Sequence, residues 1–493
     1  MLRAVVAGAA LWWCAQVGFG AAREDDAVRA VTAALRANQL QEALKLARAA
    51  RAAAPRDPRL AVLEGMALTR LGREKEALFV LQGAVRIAPD YVPAVEAAAD
   101  LEYRLGDPLV ASHLQHLLSL RPGEPTAHAM LGALAWKRRD CNGAIEHFRQ
   151  ARAAIATQPD ALREYGACLM RAKQPAEAAE VFRQWSALRP EERRARYALA
   201  AALTGAGRGH EAVAALEALA NGAKQDAIAL ELTSEAQEAM GETPSAVETL
   251  RRAVLADPRN PDLYLDFAAL AFTHQSFDVG IDMVNAGLTQ LPDSGALYLA
   301  RGVLYVQLGQ YEKADADFEK AERLDPKRAS GSAARSLSQI QQNNPGEALA
   351  TVRAQLKSRP NDAFPHYVLA ELLSRQGAQA GSAEFREALW AAREAVRLKP
   401  DFVLARDVLS RLYLENGETA KAIEQCRLAL KDDPNDEIAL YRLIRALQSR
   451  GGAEAGEVPS LLERFKAVRE ENRERQAREG QYRLVEAEEP AGH

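Results

Sequence analysis

Apolar residues along this chain return every three or four positions over most of its length, and the runs are broken by regular punctuation. Prolines at 55, 89, 122, 190, 258, 292, 326, 360, 400 and 434 are separated by 33 or 34 residues or by 68, twice that interval, with one step of 40. Small or apolar side chains stand 12, 8 and 5 residues before most of them: Ala43, Ala47 and Ala50; Ala77, Leu81 and Ala84; Ala246, Leu250 and Ala253; Ala314, Phe318 and Ala321. Spacings of four and three put each trio on one helical face. Another apolar helix precedes each trio, as in Leu297, Tyr298, Leu304, Tyr305 and Leu308. It stops at a glycine such as Gly72, Gly106, Gly309, Gly377 or Gly417, where a helix end favours left-handed backbone. The predicted unit is helix, glycine turn, helix, proline turn, and a fixed period of this length marks an array of like units.

The segment Ala296 to Pro326 carries Tyr298, Gly302, Tyr305, Gly309, Tyr311, Ala314, Phe318, Ala321 and Pro326, and it resembles the tetratricopeptide repeat (TPR) family. The register recurs about thirteen times from Glu24 to Gly451, the last copy incomplete, so the resemblance covers nearly the whole chain. It implies an all-α, right-handed superhelical solenoid of antiparallel helix pairs, with a concave groove lined by the first helix of each repeat. The physics agrees, because one hairpin cannot bury its apolar face and stacking supplies neighbours on both sides. Phe148, Phe182 and Phe318 are expected to fill the spaces beside the small residues.

Three segments depart from the register. The long step from Pro360 to Pro400 places an insertion at Gly377 to Ser382, between the two helices of its repeat. The copy from Ala329 to Pro360 is polar, with Ser330, Ser332, Ser336, Ser338 and Gln339, and reads as a soft joint. After Gly451 and Gly452, Ala453 to Val458 has no helical signal, and Pro459 to Glu479 reads as a capping helix. Its stripe Leu461, Leu462, Phe465 and Val468 covers the last repeat, and Glu471–Arg475, Glu474–Arg478 and Arg475–Glu479 are solvated pairs; a partner-binding helix is the alternative. The tail Tyr482 to His493 is expected to be mobile. The domain reading is thus residues 1–22 as an export signal, 23–450 as the repeat array and 451–493 as linker, charged helix and tail.

The first segment reads as an address. Arg3 is followed by an apolar run from Ala4 to Val17 in which Gln16 alone is polar, and then by Gly20, Ala21 and Ala22. The apolar core, about 14 residues, is short of the roughly 20 a spanning helix needs, and Arg23 to Asp26 follow at once. Cleavage after Ala22 is the expectation, with an uncleaved membrane anchor as the alternative. Export to a bacterial periplasm, or secretion, follows from this segment. Cleavage leaves Cys141, Cys168 and Cys426. The helices carrying the first two should pack side by side, and a disulfide or two separate core cysteines both suit them; Cys426 sits where other copies have Leu or Phe.

Charge and composition remove some functions. Lys and Arg number 63 against 67 Asp and Glu, for a net charge of -4, so there is no basic excess for nucleic acid. His113 and His116 share a helix face three residues apart, with His128 in the next repeat as a conceivable third metal ligand, but no Cys, Asp or Glu completes a known set. Gly205, Gly207 and Gly209 lie in a repeat turn without a preceding strand or a following Gly-Lys-Ser/Thr, so they are turn residues. There is no Gly-x-Ser-x-Gly elbow. The chain reads as a non-enzyme needing neither cofactor nor metal, with a metal-dependent enzyme on His113, His116 and His128 as the least favoured alternative.

Recognition by a surface remains. Carrying the family's groove positions onto this sequence selects Tyr103, Trp136, Tyr197, Phe272, Tyr367 and Tyr441, together with Arg163, Arg171, Glu231, Glu235 and Arg411; Glu96, Asp100, Lys137, Glu371 and Glu415 are further charged candidates. Such a mixture suits an extended peptide or a partner helix. The ninth positions of the first helices include Met66, Asp100, Ala133, Glu235 and Arg411 and never Asn, so the family's clamp for a terminal carboxylate is not supported. The expected function is a protein-protein interaction scaffold in the bacterial envelope. An accessory subunit of a polysaccharide-synthesis or secretion machine is the alternative, and the partner's identity and the oligomeric state stay open. If residues 329 to 360 form a soft joint, their amides exchange with solvent hydrogen before those of adjoining repeats; uniform protection across residues 320 to 400 contradicts it.

Overall fold

The computed structural model describes residues 25–222, 224–325, 334–335, 338, 345–451 and 456–479, and no strand occurs among them. The signal-like segment 1–22, most of the polar stretch from Ala329 to Gln339, residues 452–455 and the tail from Tyr482 lie outside the described residues. So do the side chains of Arg475, Arg478 and Glu479 and thus the pairs expected of them. The chain divides into two compact units, Met1–Ala215 and Leu216–His493.

Within the first unit the helices alternate as expected: Leu40–Ala53, Pro58–Arg70, Glu74–Ile87, Val92–Leu105, Val110–Leu120, Pro125–Lys137, Cys141–Gln150, Pro159–Arg171, Pro175–Leu188 and Arg193–Gly205. Proline opens several first helices, where its missing N–H and fixed φ cost nothing. Each helix packs on its sequence neighbours, and first helices also meet across repeats, as Pro58–Arg70 meets Val92–Leu105. The second unit repeats the scheme, with Pro261–Thr273 against Gly295–Gln307 and Ala363–Arg375 against Val403–Glu415. It ends with Val458–Glu479, which packs on Glu437–Arg450 and starts one residue earlier than expected. Val468 is buried there and Leu461, Leu462 and Phe465 are half-buried, as a capping stripe requires.

The contact inside each hairpin is set by size. Ala43, Ala47, Ala77, Ala84, Ala246, Ala253 and Ala314 are wholly buried, although Ala50 of the first trio is half-buried. In four hairpins a glycine of the first helix faces a large side chain of the second: a Cβ on Gly65 would lie 2.5 Å from Leu81, on Gly132 2.8 Å from Phe148, on Gly166 2.3 Å from Phe182 and on Gly302 2.4 Å from Phe318. Atoms do not approach so closely, so Leu81 and the three rings occupy space that only glycine leaves open.

The turn between paired helices needs a left-handed residue. Gly72, Gly106, Gly309, Gly377 and Gly417 supply it with φ between 69° and 79°. In four repeats another residue takes that conformation: Asn38, Arg139, Lys173 and Gln275, with φ of 57°, 62°, 56° and 53°. The insertion at Gly377 to Ser382 lies between Ala363–Arg375 and Ala383–Leu398, and Gly381 adds a second positive φ of 92°. The loop does not absorb all of it, since Ala383–Leu398 has 16 residues where Thr419–Asp432 has 14. The two open cysteine readings resolve: Cys141 and Cys168 are joined in a disulfide, their Cα atoms 5.0 Å apart. Cys426 is a free core cysteine whose thiol burial pushes up to about 11.

Two substitutions test this packing by urea unfolding. Gly166→Ala forces a methyl against the Phe182 ring and should destabilise the protein by about 1–3 kcal/mol. Lys173→Gly relieves a left-handed lysine and should stabilise by about 0.5–1 kcal/mol, once the greater freedom of unfolded glycine is counted.

Candidate partner-binding surface

First helices bring their variable positions onto a common layer, and in the first unit three repeats contribute to one patch. Tyr103, half-buried near the end of Val92–Leu105, has the Lys137 ammonium 5.4 Å above its ring centroid. Burial raises the Tyr103 phenol, and the neighbouring Glu164 carboxylate raises it further. Glu164 is itself pushed upward by burial, against the pull of Arg163 and Lys137. Arg163 reaches Asp160 at 3.4 Å and Glu164 at 3.8 Å, while Arg171 is exposed. Trp136 and Tyr197 are half-buried. Glu96 is held by Arg121 at 2.7 Å and Asp100 by Arg104 at 3.3 Å, so neither is a free charge.

The second unit holds two contrasting surfaces. Glu231 and Glu235 on Ala227–Ala239 face Asp262 and Asp266 on Pro261–Thr273. Glu231 is pushed up to about 7, chiefly by burial and then by Asp266, Glu235 and Asp262. A side-chain hydrogen bond with Asp266 adds to the upward shift of Glu231 and pulls Asp266 the other way. Burial also raises Glu235 and Asp266. Phe272, 43% exposed, has Phe277 at 6.0 Å between centroids.

Farther along, Tyr367 joins an aromatic cluster with Phe364 at 5.7 Å and Phe402 at 5.1 Å. Arg411 lies 2.6 Å from Glu371, which also takes Arg375; despite its burial, these arginines hold the Glu371 carboxyl below its usual range. Asp407, from the same layer, is pushed up to about 7 by burial and by Asp436, against the pull of Arg442. Tyr441 is 48% exposed but borders the capping helix, with Phe465 at 6.1 Å. Glu415 is exposed.

The histidines do not converge. His113 Nδ1 lies 2.9 Å from the fully buried Glu102 carboxylate, and His116 Nε2 lies 3.1 Å from the Pro89 carbonyl. His128 pairs with His147 at 3.0 Å, Nδ1 to Nδ1, while its Nε2 donates to the Pro122 carbonyl. Among the described residues, no group of three or more His, Cys, Asp or Glu side chains is arranged to hold a metal ion.

The tetratricopeptide repeat pattern matches residues 28–92, 129–192, 296–328 and 378–437. The chain belongs to the tetratricopeptide repeat family. This TPR protein is 25% identical to the Hsp70-Hsp90 organizing protein of Triticum aestivum over 191 residues, 39% of this chain and 30% of that protein. It is 34% identical over 94 residues to the TPR repeat-containing thioredoxin TDX of Arabidopsis thaliana, 19% of this chain and 25% of that one. It therefore spans about a quarter to a third of the length of these curated relatives. Among solved structures, yeast Tom70 aligns with 92% of this chain and 96% of its own at 16% identity and a TM-score of 0.43. The Naa15/Naa10 complex bound to HypK-THB aligns with 93% and 79%, at 16% identity and a TM-score of 0.38.

Residue-by-residue transfer of groove positions missed Glu164, Asp266, Phe364 and Phe402 of this TPR chain. Asp266 and Glu164 sit beside the expected positions in the register, and Phe402 precedes its helix, so only contacts across repeats expose them.

The acidic pair has a measurable signature. Carboxyls raised in the folded state hold protons that the unfolded chain has released, so stability falls as pH rises from about 4.5 to about 7. Glu231→Gln should therefore flatten the pH dependence of the urea midpoint and, after allowance for solvent screening, gain about 1 kcal/mol at pH 8 while changing little at pH 4.

Proposed function

We propose that this TPR chain is a non-catalytic scaffold that holds an extended peptide or a helix of a partner protein against the first-helix layer of its repeats. The observation that carries this reading is the row of aromatic side chains left partly open on that layer: Tyr103, Trp136 and Tyr197 in the first unit, Phe272 and Tyr441 in the second. Exposed aromatics supply contact area at low entropic cost, and neighbouring charges set register. The family and a relative whose name is that of an organizer of two chaperones support the same mode of action.

The setting we propose is outside the cytoplasm, most simply a bacterial periplasm. The signal-like first 22 residues support export, and so does the Cys141–Cys168 disulfide, since such bonds persist in oxidising compartments. No helix among the described residues is long and apolar enough to cross a membrane.

Capture from native envelope extracts by the chain from Arg23 onward tests both points. Two variants of unchanged helicity, Trp136→Ala/Tyr197→Ala and Phe272→Ala/Tyr441→Ala, should each be compared with the parent. Loss of at least tenfold in capture by one or both is expected, since central aromatics at interfaces are worth about 1–3 kcal/mol each. Equal capture by all three chains rejects the first-helix layer as the binding surface.

A further inference from the structure

A second recognition site lies away from those positions, in the first unit. A cavity of about 700 Å³, open on one side, is formed by Leu40–Ala53, Pro58–Arg70 and Glu74–Ile87. Its apolar lining has open surface on Ala52 and Pro55, while Leu68 and Val80 are buried, 0% and 6% exposed. On its rim stands Phe79, 71% exposed, the most exposed phenylalanine among the described residues. Phe79 thus presents apolar surface at the rim that a partner side chain can cover.

The charges around the hollow do not balance. Glu64, 2% exposed, is gripped twice: Arg48 Nε donates to one oxygen at 3.1 Å, and Arg51 Nε lies 2.8 Å from the other. Glu76 is also held twice, by Arg73 in a two-pronged contact with both distances at 2.6 Å, and by Arg48 at 3.3 Å. Lys75 lines the cavity, is exposed and makes no ion pair among the described residues. Three cations, Arg48, Arg51 and Lys75, therefore line the hollow with two carboxylates, and the carboxylates are already answered, Glu76 in part by Arg73 from outside the lining. What the wall offers a visitor is positive charge over an apolar floor.

We propose that this pocket receives a large apolar side chain of a partner protein that is flanked in sequence by Asp or Glu. The apolar anchor fills the hollow against Ala52, Pro55 and Phe79, and the flanking carboxylates meet Lys75, Arg48 and Arg51 on its rim. A protein surface laid over the open side closes it, whereas a small molecule would stay partly in water. The proposal rests on the scaffold reading but uses second-helix residues that reading does not involve.

The test uses the chain from Arg23 onward with Phe79→Trp as a rim reporter, its emission read as the difference from the parent chain. The probe is acetyl-Glu-Glu-Leu-Glu-Glu-amide, with peptides carrying Ala for Leu, or Lys for Glu, as controls and decanoate as a free amphiphile. A saturable blue shift is expected with the acidic leucine peptide. It should need at least tenfold more peptide after Lys75→Glu, with Ala in place of Leu, or with Lys in place of Glu. Lys75 and Phe79 are both exposed, so neither substitution threatens the fold. No saturable shift up to about 1 mM overturns the proposal, as does equal binding of the Ala peptide, which would leave charge attraction alone. Decanoate binding as tightly as the peptide also overturns it, by assigning the pocket to free amphiphiles. Trp136→Ala/Tyr197→Ala should leave the titration unchanged, so failure of the first-helix surface and failure of this pocket are told apart.

Discussion

The close crossing of the two helices in a repeat depends on a side chain that is not there. At Gly166 the ring of Phe182 fills the volume a Cβ would need, and Gly132 with Phe148 and Gly302 with Phe318 repeat the arrangement. Because the fit is steric, it sets the distance between helices with little tolerance, and alanines such as Ala77 and Ala84 let the next helix approach as closely. No contact between distant parts of the chain is needed to build such a hairpin, and each one buries its open face on its neighbour. The remaining positions on the first helices are then free to vary without harming the core.

That freedom explains where charge has been placed. Several acids have been drawn into the interior, and most are met by a partner: Glu64 by Arg48 and Arg51, Glu102 by His113 and Gln82, Asp317 by Arg301. Removing one member of such a pair would strand a buried charge, which costs more than the pair itself contributes. Glu231 and Asp266 are arranged differently, since carboxyl faces carboxyl and both are raised, chiefly by burial. Asp407 faces Asp436 with Arg442 as its counterweight. Burial chiefly, and like charge after it, holds these carboxyls up, so they differ from acids met by an arginine or a histidine.

The period, the helix pairs, the glycine turns and the capping stripe were all legible in the residues, because each rests on spacing within a few turns of helix. The exceptions are instructive. Arg139, Lys173 and Gln275 adopt the left-handed conformation although nothing local favours it, since the packing of the helices on either side prescribes the turn. The insertion near Gly377 was visible as six extra residues, yet part of it lengthens the following helix. The candidate surface was legible only as positions. That Arg411 is held by Glu371, forty residues away, or that Phe402 packs against Tyr367 from outside its helix, depends on contacts between repeats.

By itself the sequence determined that this is an array of helical hairpins of the tetratricopeptide kind, with small residues at the crossings and an open layer of first helices. It could do so because helical periodicity and glycine's tolerance of positive φ are properties of short stretches. Only the tertiary structure decided which charges are spent on one another, that Cys141 and Cys168 meet, that three histidines close in register go to three different partners, and that second helices leave a cationic hollow beside Phe79. The reason is reach: these partners lie 11 to 40 residues apart in the chain, on helices whose rotation about their axes is set by packing rather than by their own residues.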